Sequence, residues 1–579
     1  MPFGYHGRYF LIDVTHPTRV ERPDLSDAIL RRTLGGAGLG AHLLLEHGRP
    51  QDDACDPAQP LIFAFSPLVG SPLTTSAKFA VVGKSPLTGR INDALAGSGF
   101  AIAGKHTGAD AFVIVGRVPA LSVLVIDDGA VRVEPADDLA GLACADAEEK
   151  VRSRLGPGFR IASIGPAGER FVRYATISHD GRHAGRGGSG AVLGSKNIKA
   201  IAVRGNKRVE WADPKALVEI SRDLSTRSFG PATEKYRELG TAANMLMFNR
   251  FGTLPTRNFQ TGTFEHAVNL SPEEMKVAHG KARASCVACT IGCEHIYGVN
   301  GGQTRVEYES LFALGSLCGV GNSAKVLRAV QRCDELGLDT ISTGGTIAFA
   351  MECVERGLID ERWLTFGDGD AMLRAIELIG AREGLGATLA EGSRRAAEQI
   401  GQGSLAFAPQ VKGLEIPGYE PRALQTMALG FAVGSRGADH NRSGAYEADF
   451  SDAVDRRDAT LASVRHAIET EDKAALMDSL ILCKFLRGVF SDFHVEAAVM
   501  LRAVTGWDAT ADELRATAKQ IVQSKREFNM RAGWTPSEDT LPDRFLNTPL
   551  PNDPAAVLTR ERLTELVNEY HRQRGWRMV

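Results

Sequence analysis

The chain changes its hydrophobic periodicity once, between residues 205 and 211, and that single change limits the folds open to it. Before it, residues 9–14, 60–65, 79–83, 111–116, 121–126 and 198–203 form short apolar runs rich in β-branched or aromatic side chains, most with turn formers nearby. Such runs read as strands. A few helix-like stretches, such as 25–34, interrupt them without a regular strand–helix alternation. After Trp211, apolar residues recur at mixed three and four spacing, which reads as helix. Helices are expected from 216 onward and over 322–333, 340–356, 368–381, 389–400 and 510–529, with Asn322 and Thr510 as N-caps. The reading is an α+β fold: a β-rich N-terminal domain, 1–206, then two mainly α-helical domains, 207–412 and 413–579. The segment 413–421 marks the second boundary.

Composition narrows the function. At about 150 residues per domain, 579 residues predict three or four domains or subdomains. Hydrophobic residues are 43% and charged residues 24%, so the chain is globular rather than disordered. Lys plus Arg is 67 and Asp plus Glu 70, giving −3, with no general basic field for nucleic acid. No apolar run reaches the roughly 18 residues of a membrane span. The start, from Met1 to Arg8, lacks the cationic, apolar and small-residue order of a secretory signal. The default expectation is the cytoplasm. Nine cysteines are too sparse for a disulfide scaffold, so clustered ones call for a metal or redox reading.

The sharpest local signal is Cys286-Val287-Ala288-Cys289-Thr290-Ile291-Gly292-Cys293. Three thiols in eight residues can face one centre, and thiolates favour iron–sulfur clusters or zinc. The order CxxCxxxC is not the CxxxCxxC of radical S-adenosylmethionine sites. A cubane needs a fourth ligand, for which Cys483, Cys318, Cys333 and Cys353 compete. Zinc with His295 is the local alternative, and cysteines that merely fill a core are another.

Two acidic segments echo each other. Asp334-Glu335-Leu336-Gly337-Leu338-Asp339 and Asp478-Ser479-Leu480-Ile481-Leu482-Cys483 share Asp-x-Leu-x-Leu-(Asp/Cys). Paired loops of this kind can grip two similar halves of one ligand; the plainer reading is that the acids cap helices. The run from Gly181 to Gly190 holds five glycines, two arginines and His183, a combination suited to phosphate. The glycines at 35–40 follow a helix rather than a strand, so they read as tight-turn residues and not as a dinucleotide loop.

With these motifs in order, the chain resembles the tungsten-containing aldehyde:ferredoxin oxidoreductase family over nearly its entire length. The marks are Lys84-Ser85-Pro86-Leu87-Thr88-Gly89, Ile164-Gly165-Pro166-Ala167-Gly168-Glu169, Ala184-Gly185-Arg186-Gly187-Gly188 and Gly194-Ser195-Lys196-Asn197. The three-cysteine run, Val306-Glu307-Tyr308-Glu309-Ser310, 334–345, Leu389-Ala390-Glu391-Gly392-Ser393 and 478–483 complete them. The resemblance implies that the β-rich domain is the cofactor-binding base for two pterins chelating one tungsten or molybdenum, covered by the two helical domains. It makes Cys286, Cys289, Cys293 and Cys483 ligands of one [4Fe–4S] cluster. It assigns Asp334, Leu338 and Asp339 to one pterin, and Asp478 and Leu482 to the other. Lys78, Gly97, Arg182, Ala184, Gly185, Arg436 and Arg442 fall at further cofactor positions, with magnesium bridging the pterin phosphates. Glu309 and His440 match catalytic positions near the metal. Glu309 is expected to accept a proton from water, and His440 to hydrogen-bond the aldehyde oxygen.

The expected reaction is oxidation of aldehydes to carboxylic acids, with electrons leaving through the cluster to a ferredoxin or a dedicated iron–sulfur or flavin subunit. Two other readings stand beside it: a related tungstopterin enzyme for aromatic thioesters or hydroxy acids, and an electron-transfer or structural iron–sulfur subunit. Four departures from the family pattern stand out, one of them a Gly181 to Gly185 turn about one residue shorter. Lys78 replaces an arginine that bridges cluster and pterin, keeping the charge without the planar fork. Leu95 replaces an asparagine near the magnesium. Arg328-Ala329-Val330-Gln331 replaces a Glu-x-x-His motif associated with an interface metal, so a homodimer of this chain would do without that metal.

Overall fold

The computed structural model describes residues 3–17, 19–299 and 301–576. Met1 and Pro2, which open the expected first domain, and residues 577–579, which close the third, lie outside the described residues. Two six-stranded sheets form the N-terminal part. In the first, the order is Val20–Glu21, Tyr9–Asp13, Ala111–Val115, Leu61–Ala64, Lys78–Lys84 and Ile91–Gly97. Only Tyr9–Asp13 and Ala111–Val115 pair in parallel there. The second runs Arg182–Ala184, Ile177–His179, Arg160–Ser163, Ile198–Arg204, Ser122–Asp127 and Ala130–Pro135.

Strand alternation explains how the sheets stack. Phe63, Phe79, Val81 and Phe112 of the first sheet share one core with Leu124, Ile126, Ile201 and Val203 of the second, with Phe100 between them. The opposite face of the first sheet, with Ile62, Val82 and Val113, is covered by Leu39 and Leu43 of the helix Gly36–His47. The opposite face of the second packs Val125, Ile161 and Ala202 against Val151 of the helix Cys144–Leu155. Both faces are therefore buried, and the strands read as continuous apolar runs rather than alternating ones. The glycines at 35–40 are not a dinucleotide loop, but the expected tight turns are corrected too: Gly36, Gly38 and Gly40 lie in the first turns of that covering helix. A Cβ on Gly40 would meet Val82 Cγ2 at 2.4 Å.

The remainder is mainly helical. One large core joins Phe312, Phe349, Leu414, Leu424 and Phe431 across residue 412 and takes in Leu87, Val172, Tyr174 and Ala191 of the N-terminal part. A second joins Leu217 and Leu224 of Pro214–Ser228 to Leu476, Phe493 and Leu501. Asn322 and Thr510 cap their helices as expected, their side chains accepting from Lys325 N and Glu513 N. Two expectations are corrected. The helix expected over 389–400 is broken into Leu385–Leu389 and Ser393–Ile400. Gly392 between them has φ +86°, where a Cβ would strike Leu87 Cδ1 at 2.4 Å. A three-stranded antiparallel sheet, Gly280–Ala284, Glu294–Val299 and Gly302–Val306, interrupts the helical part, and the cysteine run is the loop between its first two strands. Among the described residues, no helix is long and apolar enough to cross a membrane.

The tight crossing at Gly40 gives a direct test. Gly40→Ala is expected to destabilise the protein by about 1–3 kcal/mol through overpacking, seen as a lower thermal midpoint. Adding Val82→Ala should restore part of the loss, whereas additive losses would show that the crossing is looser than described.

Candidate active site and metal centre

The four cysteines assigned by resemblance line one cavity, together with Thr75, Ala77, Lys78, Arg182, Ile291 and Phe485. The turn through Ala288 (φ +53°) and Gly292 (φ +64°) folds the cysteine loop back on itself. Thr75 joins the two cysteine segments. Its N–H donates to Ala288 O at 2.6 Å, and its Oγ1 accepts from Cys483 N at 3.2 Å. The competitors are elsewhere: Cys318, Cys333 and Cys353 are buried in the large helical core. His295 turns its ring toward Gly240 and is not among the cavity-lining residues, so the zinc alternative loses its fourth ligand.

The chemistry of the cavity suits an anionic, thiolate-bound group. Tetrahedral zinc at about 2.3 Å from each sulfur draws its ligands into a tight knot. Among the described residues, no three His, Cys, Asp or Glu side chains form a set that could hold a single ion. Burial pushes the Cys286 thiol up to about 12, and Arg182 and Lys78 pull the other way. Burial also raises Cys289 and Cys293. Burial opposes the charge on Lys78, but Cys483, Cys286 and Cys289 raise its pKa overall. Gly97 pairs with Lys78 across the sheet, and a Cβ there would lie 3.5 Å from Cys286 Sγ.

The echoed loops have the same backbone. Helix Ser323–Leu336 ends at Gly337 (φ +75°), and Leu338 N donates back to Cys333 O at 2.8 Å. Helix Leu461–Leu480 ends at Ile481 (φ +66°), and Leu482 N donates back to Met477 O at 2.9 Å. Both are helix ends closed by a left-handed residue and a six-to-one hydrogen bond. In each, the residue after the leucine then caps the next helical turn: Asp339 for Thr340–Glu355, and Cys483 for Lys484–Leu486. The capping reading therefore holds for Asp339, whose carboxylate accepts from Ile341 N and Ser342 N. Both loops dock on the β-rich part. Thr176 N donates to Gly337 O at 2.8 Å, and Ser66 Oγ to Leu480 O at 2.7 Å. Asp334 is more exposed and pairs with His183 Nε2 at 3.2 Å.

Glu309 and His440 meet between these loops. Glu309 Oε1 lies 3.6 Å from His440 Nε2, and Glu309 Oε2 accepts from Gly418 N at 3.0 Å. Asn441 Nδ2 is 2.9 Å from His440 Nε2, and Tyr419 stacks on the imidazole with ring centroids 5.1 Å apart. Burial pushes the Glu309 carboxyl up to about 8, with the Gly418 amide and Arg186 opposing. Burial pushes His440 down to about 3, with Asp439 opposing. At neutral pH both groups are therefore uncharged in this chain. Only 15% of the Glu309 side chain and 11% of the His440 side chain are exposed.

A buried ion network adjoins the pair; sequence reasoning named Arg436, Arg442, Asp339 and Asp478 but not Asp93, Asp439, Arg186 or Lys525 as site residues. Asp93 receives Arg442 Nε at 3.0 Å, Lys525 Nζ at 2.6 Å and Arg436 NH1 on its carbonyl at 3.0 Å. Burial alone would raise Asp93; Arg442, Lys525 and Arg436 together hold it far below the carboxylate range. Arg436 NH2 also lies 3.2 Å from Asp439, and Arg442 NH1 3.3 Å from Asp478. Arg186 donates to Ala438 O and Glu415 O, and its Nε is 3.5 Å from Asp339. The glycine run around Arg186 was the available signal; Asp93, two residues before Leu95, gave none.

This junction fits a polar, multi-pronged cofactor. Arg186 Nε, Arg436 Nε, Glu309 Oε1, His440 Nδ1 and both Asp478 carboxylate oxygens are buried without an aligned hydrogen bond from the chain. Buried polar atoms are seldom left so. A Cβ on Gly185 would meet nothing within 4 Å, so space adjoins that backbone, next to the buried Ala184.

Comparison with known proteins follows this geometry. The family model for the N-terminal domain of aldehyde ferredoxin oxidoreductase matches residues 9–205, and that for its domains 2 and 3 matches 215–578. The tungsten-containing aldehyde ferredoxin oxidoreductases of Pyrococcus furiosus and Thermococcus kodakarensis are each 37% identical, covering 99% of this chain and 96% of theirs. The WOR-like subunit of the aliphatic sulfonate oxidoreductase of P. furiosus is 26% identical over 99% of this chain and 95% of its own. Among solved structures, the active-site complex BamBC of benzoyl coenzyme A reductase superposes with a TM-score of 0.84. It covers 100% of this chain and 95% of that one at 22% identity, a likeness of fold.

Asp93→Asn removes the charge that balances Arg442, Arg436 and Lys525. Breaking a buried network of this kind is expected to cost about 3–5 kcal/mol. Thermal denaturation reads the loss, and a midpoint within a degree of the parent would show that the network carries no net stability.

Proposed function

The chain belongs to the aldehyde ferredoxin oxidoreductase family and is an oxidoreductase, and on that premise we propose that it oxidises aldehydes to carboxylic acids. The balanced reaction is RCHO + H₂O → RCOO⁻ + 2e⁻ + 3H⁺. The observation that carries the reading is the double duty of the segment 478–483: Asp478 and Leu482 belong to the second loop, and Cys483 closes the four-cysteine cavity. In this reading the cofactor site and the cluster site share one wall.

Asp334, Leu338 and Asp339 would hold one pterin, and Asp478 and Leu482 the other. Arg182, Ala184, Gly185, Arg436 and Arg442 would stand around them, with Lys78 and Gly97 between cofactor and cluster. The Leu95 side chain packs with the core under the helix Gly36–His47, so only its carbonyl is left to serve a magnesium ion. A tungsten or molybdenum bis-pterin bound there would supply two-electron chemistry, and Cys286, Cys289, Cys293 and Cys483 would hold a [4Fe–4S] cluster through which electrons would leave to a ferredoxin or dedicated electron-transfer subunit.

The protein's own part is proton handling. Asn441 Nδ2 lies 2.9 Å from His440 Nε2, and with that amide donating, the ring carries its proton on Nδ1. Nδ1 has no partner in the chain, which leaves that N–H to hydrogen-bond an aldehyde oxygen. Glu309 becomes a base only when it loses its own proton. Because its pKa is raised to about 8, the active carboxylate accumulates as pH rises through that value and is lost below it.

Three outcomes follow. Protein purified without oxygen from its native host should contain about four iron atoms, acid-labile sulfide, and one tungsten or molybdenum with organic pterin per chain. Iron without heavy metal and pterin would leave only an electron-transfer role. Turnover of a small aldehyde should rise with pH through about 8 and level off above it; a flat profile from pH 6 to 9 counts against Glu309 as the base. Glu309→Gln should keep the metal and pterin content while lowering kcat by about 10²–10⁴-fold. Unchanged turnover would sink the assignment.

A further inference from the structure

Arg182 is one of the residues that the resemblance assigns to the cofactor, yet its side chain lies with the cysteines. The reason is a two-residue turn. Strands Ile177–His179 and Arg182–Ala184 form a hairpin closed by Asp180 (φ +49°) and Gly181 (φ +67°). Two left-handed residues in a row make the tight hairpin turn whose twist matches its strands, and Asp-Gly is a preferred pair for it. Arg182 is thus fixed opposite His179, immediately after the turn.

The turn is anchored from the cysteine-bearing sheet. Arg305 NH1 donates to Asp180 O at 2.9 Å and Gly181 O at 2.8 Å, and its Nε lies 3.2 Å from Glu294 Oε2. The other oxygen of Glu294 is 3.2 Å from Arg182 NH1 and accepts from Cys286 Sγ at 3.1 Å. Arg182 NH1 is also 3.3 Å from Glu307 Oε1. Arg182, Lys78 and the four cysteines line the same cavity. The charged groups facing it are therefore Lys78 and Arg182, with Glu294 behind Cys286, Arg305 behind Glu294, and Glu307 beside Arg182 and Cys293.

We propose that Arg182 acts beside Lys78 as a second fixed cation at the cysteine cavity: the hairpin delivers it there, where it would raise the reduction potential of a bound cluster. The proposal rests on the reading of the four cysteines as cluster ligands. A cluster held there would take up the electrons of aldehyde oxidation one at a time, each adding one negative charge that it would pass on to the external acceptor. A fixed cation beside four thiolates stabilises that added charge, and a fixed carboxylate opposes it. A planar fork shared between Glu294 and the cavity keeps its charge in place more firmly than a flexible ammonium does.

The sign of the effect separates electrostatics from mere loosening. Holoenzyme variants Arg182→Gln, Arg182→Lys and Glu294→Gln would be assayed for iron and acid-labile sulfide, then titrated redox-wise with the electron paramagnetic resonance signal of the reduced cluster as readout. With iron retained, Arg182→Gln should move the midpoint to a more negative potential. Arg182→Lys should fall between it and the parent, and Glu294→Gln should move the midpoint the opposite way. Midpoints unchanged in both neutral variants, or shifted in the same direction, would overturn the proposal. If Arg182→Gln loses iron, the positive shift of Glu294→Gln and a negative shift of Arg182→Lys from the parent still decide it. Parent enzyme without iron and sulfide would instead overturn the cluster reading on which it rests.

Discussion

A carboxylate taken out of water must be met by cations or the chain will not close around it. Asp93, Asp439 and Asp478 are all buried where the β-rich part meets the helices. Unpaired, each ion would cost several kcal/mol. Arg436, Arg442, Lys525, Arg186 and Lys484 meet them from four separate stretches of sequence. No one of those stretches can be placed without the others, so the geometry of Glu309 and His440 is inherited from a charge balance rather than from a local motif.

That dependence sets what could be read from sequence. The runs at 61–64, 111–115 and 198–204 were legible because both faces of their strands are buried. Ile91–Gly97 was not, since Asn92, Asp93 and Gly97 break its apolar pattern. The cysteine spacing pointed to one centre, but Gly280-Lys281-Ala282-Arg283-Ala284 gave no sign that a sheet carries it. Asn322, Thr510 and Asp339 were recognisable as caps because a cap is a local device. Gly392 marks a break whose tight packing against Leu87, remote in sequence, no window around it shows. The same limit applies to chemistry. Glu309 and His440 were found through resemblance, while their uncharged state comes from burial by remote elements.

The repeated loop shows how one backbone solution serves twice. Each helix stops at a left-handed residue, returns a hydrogen bond to its last turn and presents a leucine followed by a polar residue. The first copy uses Gly337, for which this conformation is free of strain. The second uses Ile481, a β-branched residue at φ +66°, for which it costs about 1–2 kcal/mol. Gly36 allows the close approach there, since a Cβ on it would meet Ile481 Cγ1 at 2.8 Å. The second loop is thus held in place by its surroundings, whereas the first is shaped by its own sequence.

Thr75 touches both halves of the cysteine cavity with two atoms of one residue. Its amide is bound to the loop that carries three thiols, and its hydroxyl to the amide of the fourth. The two jaws therefore share a hinge pin. A displacement of either is passed to the other through a single residue, and extraction of a group held between them is expected to be all-or-none rather than thiol by thiol.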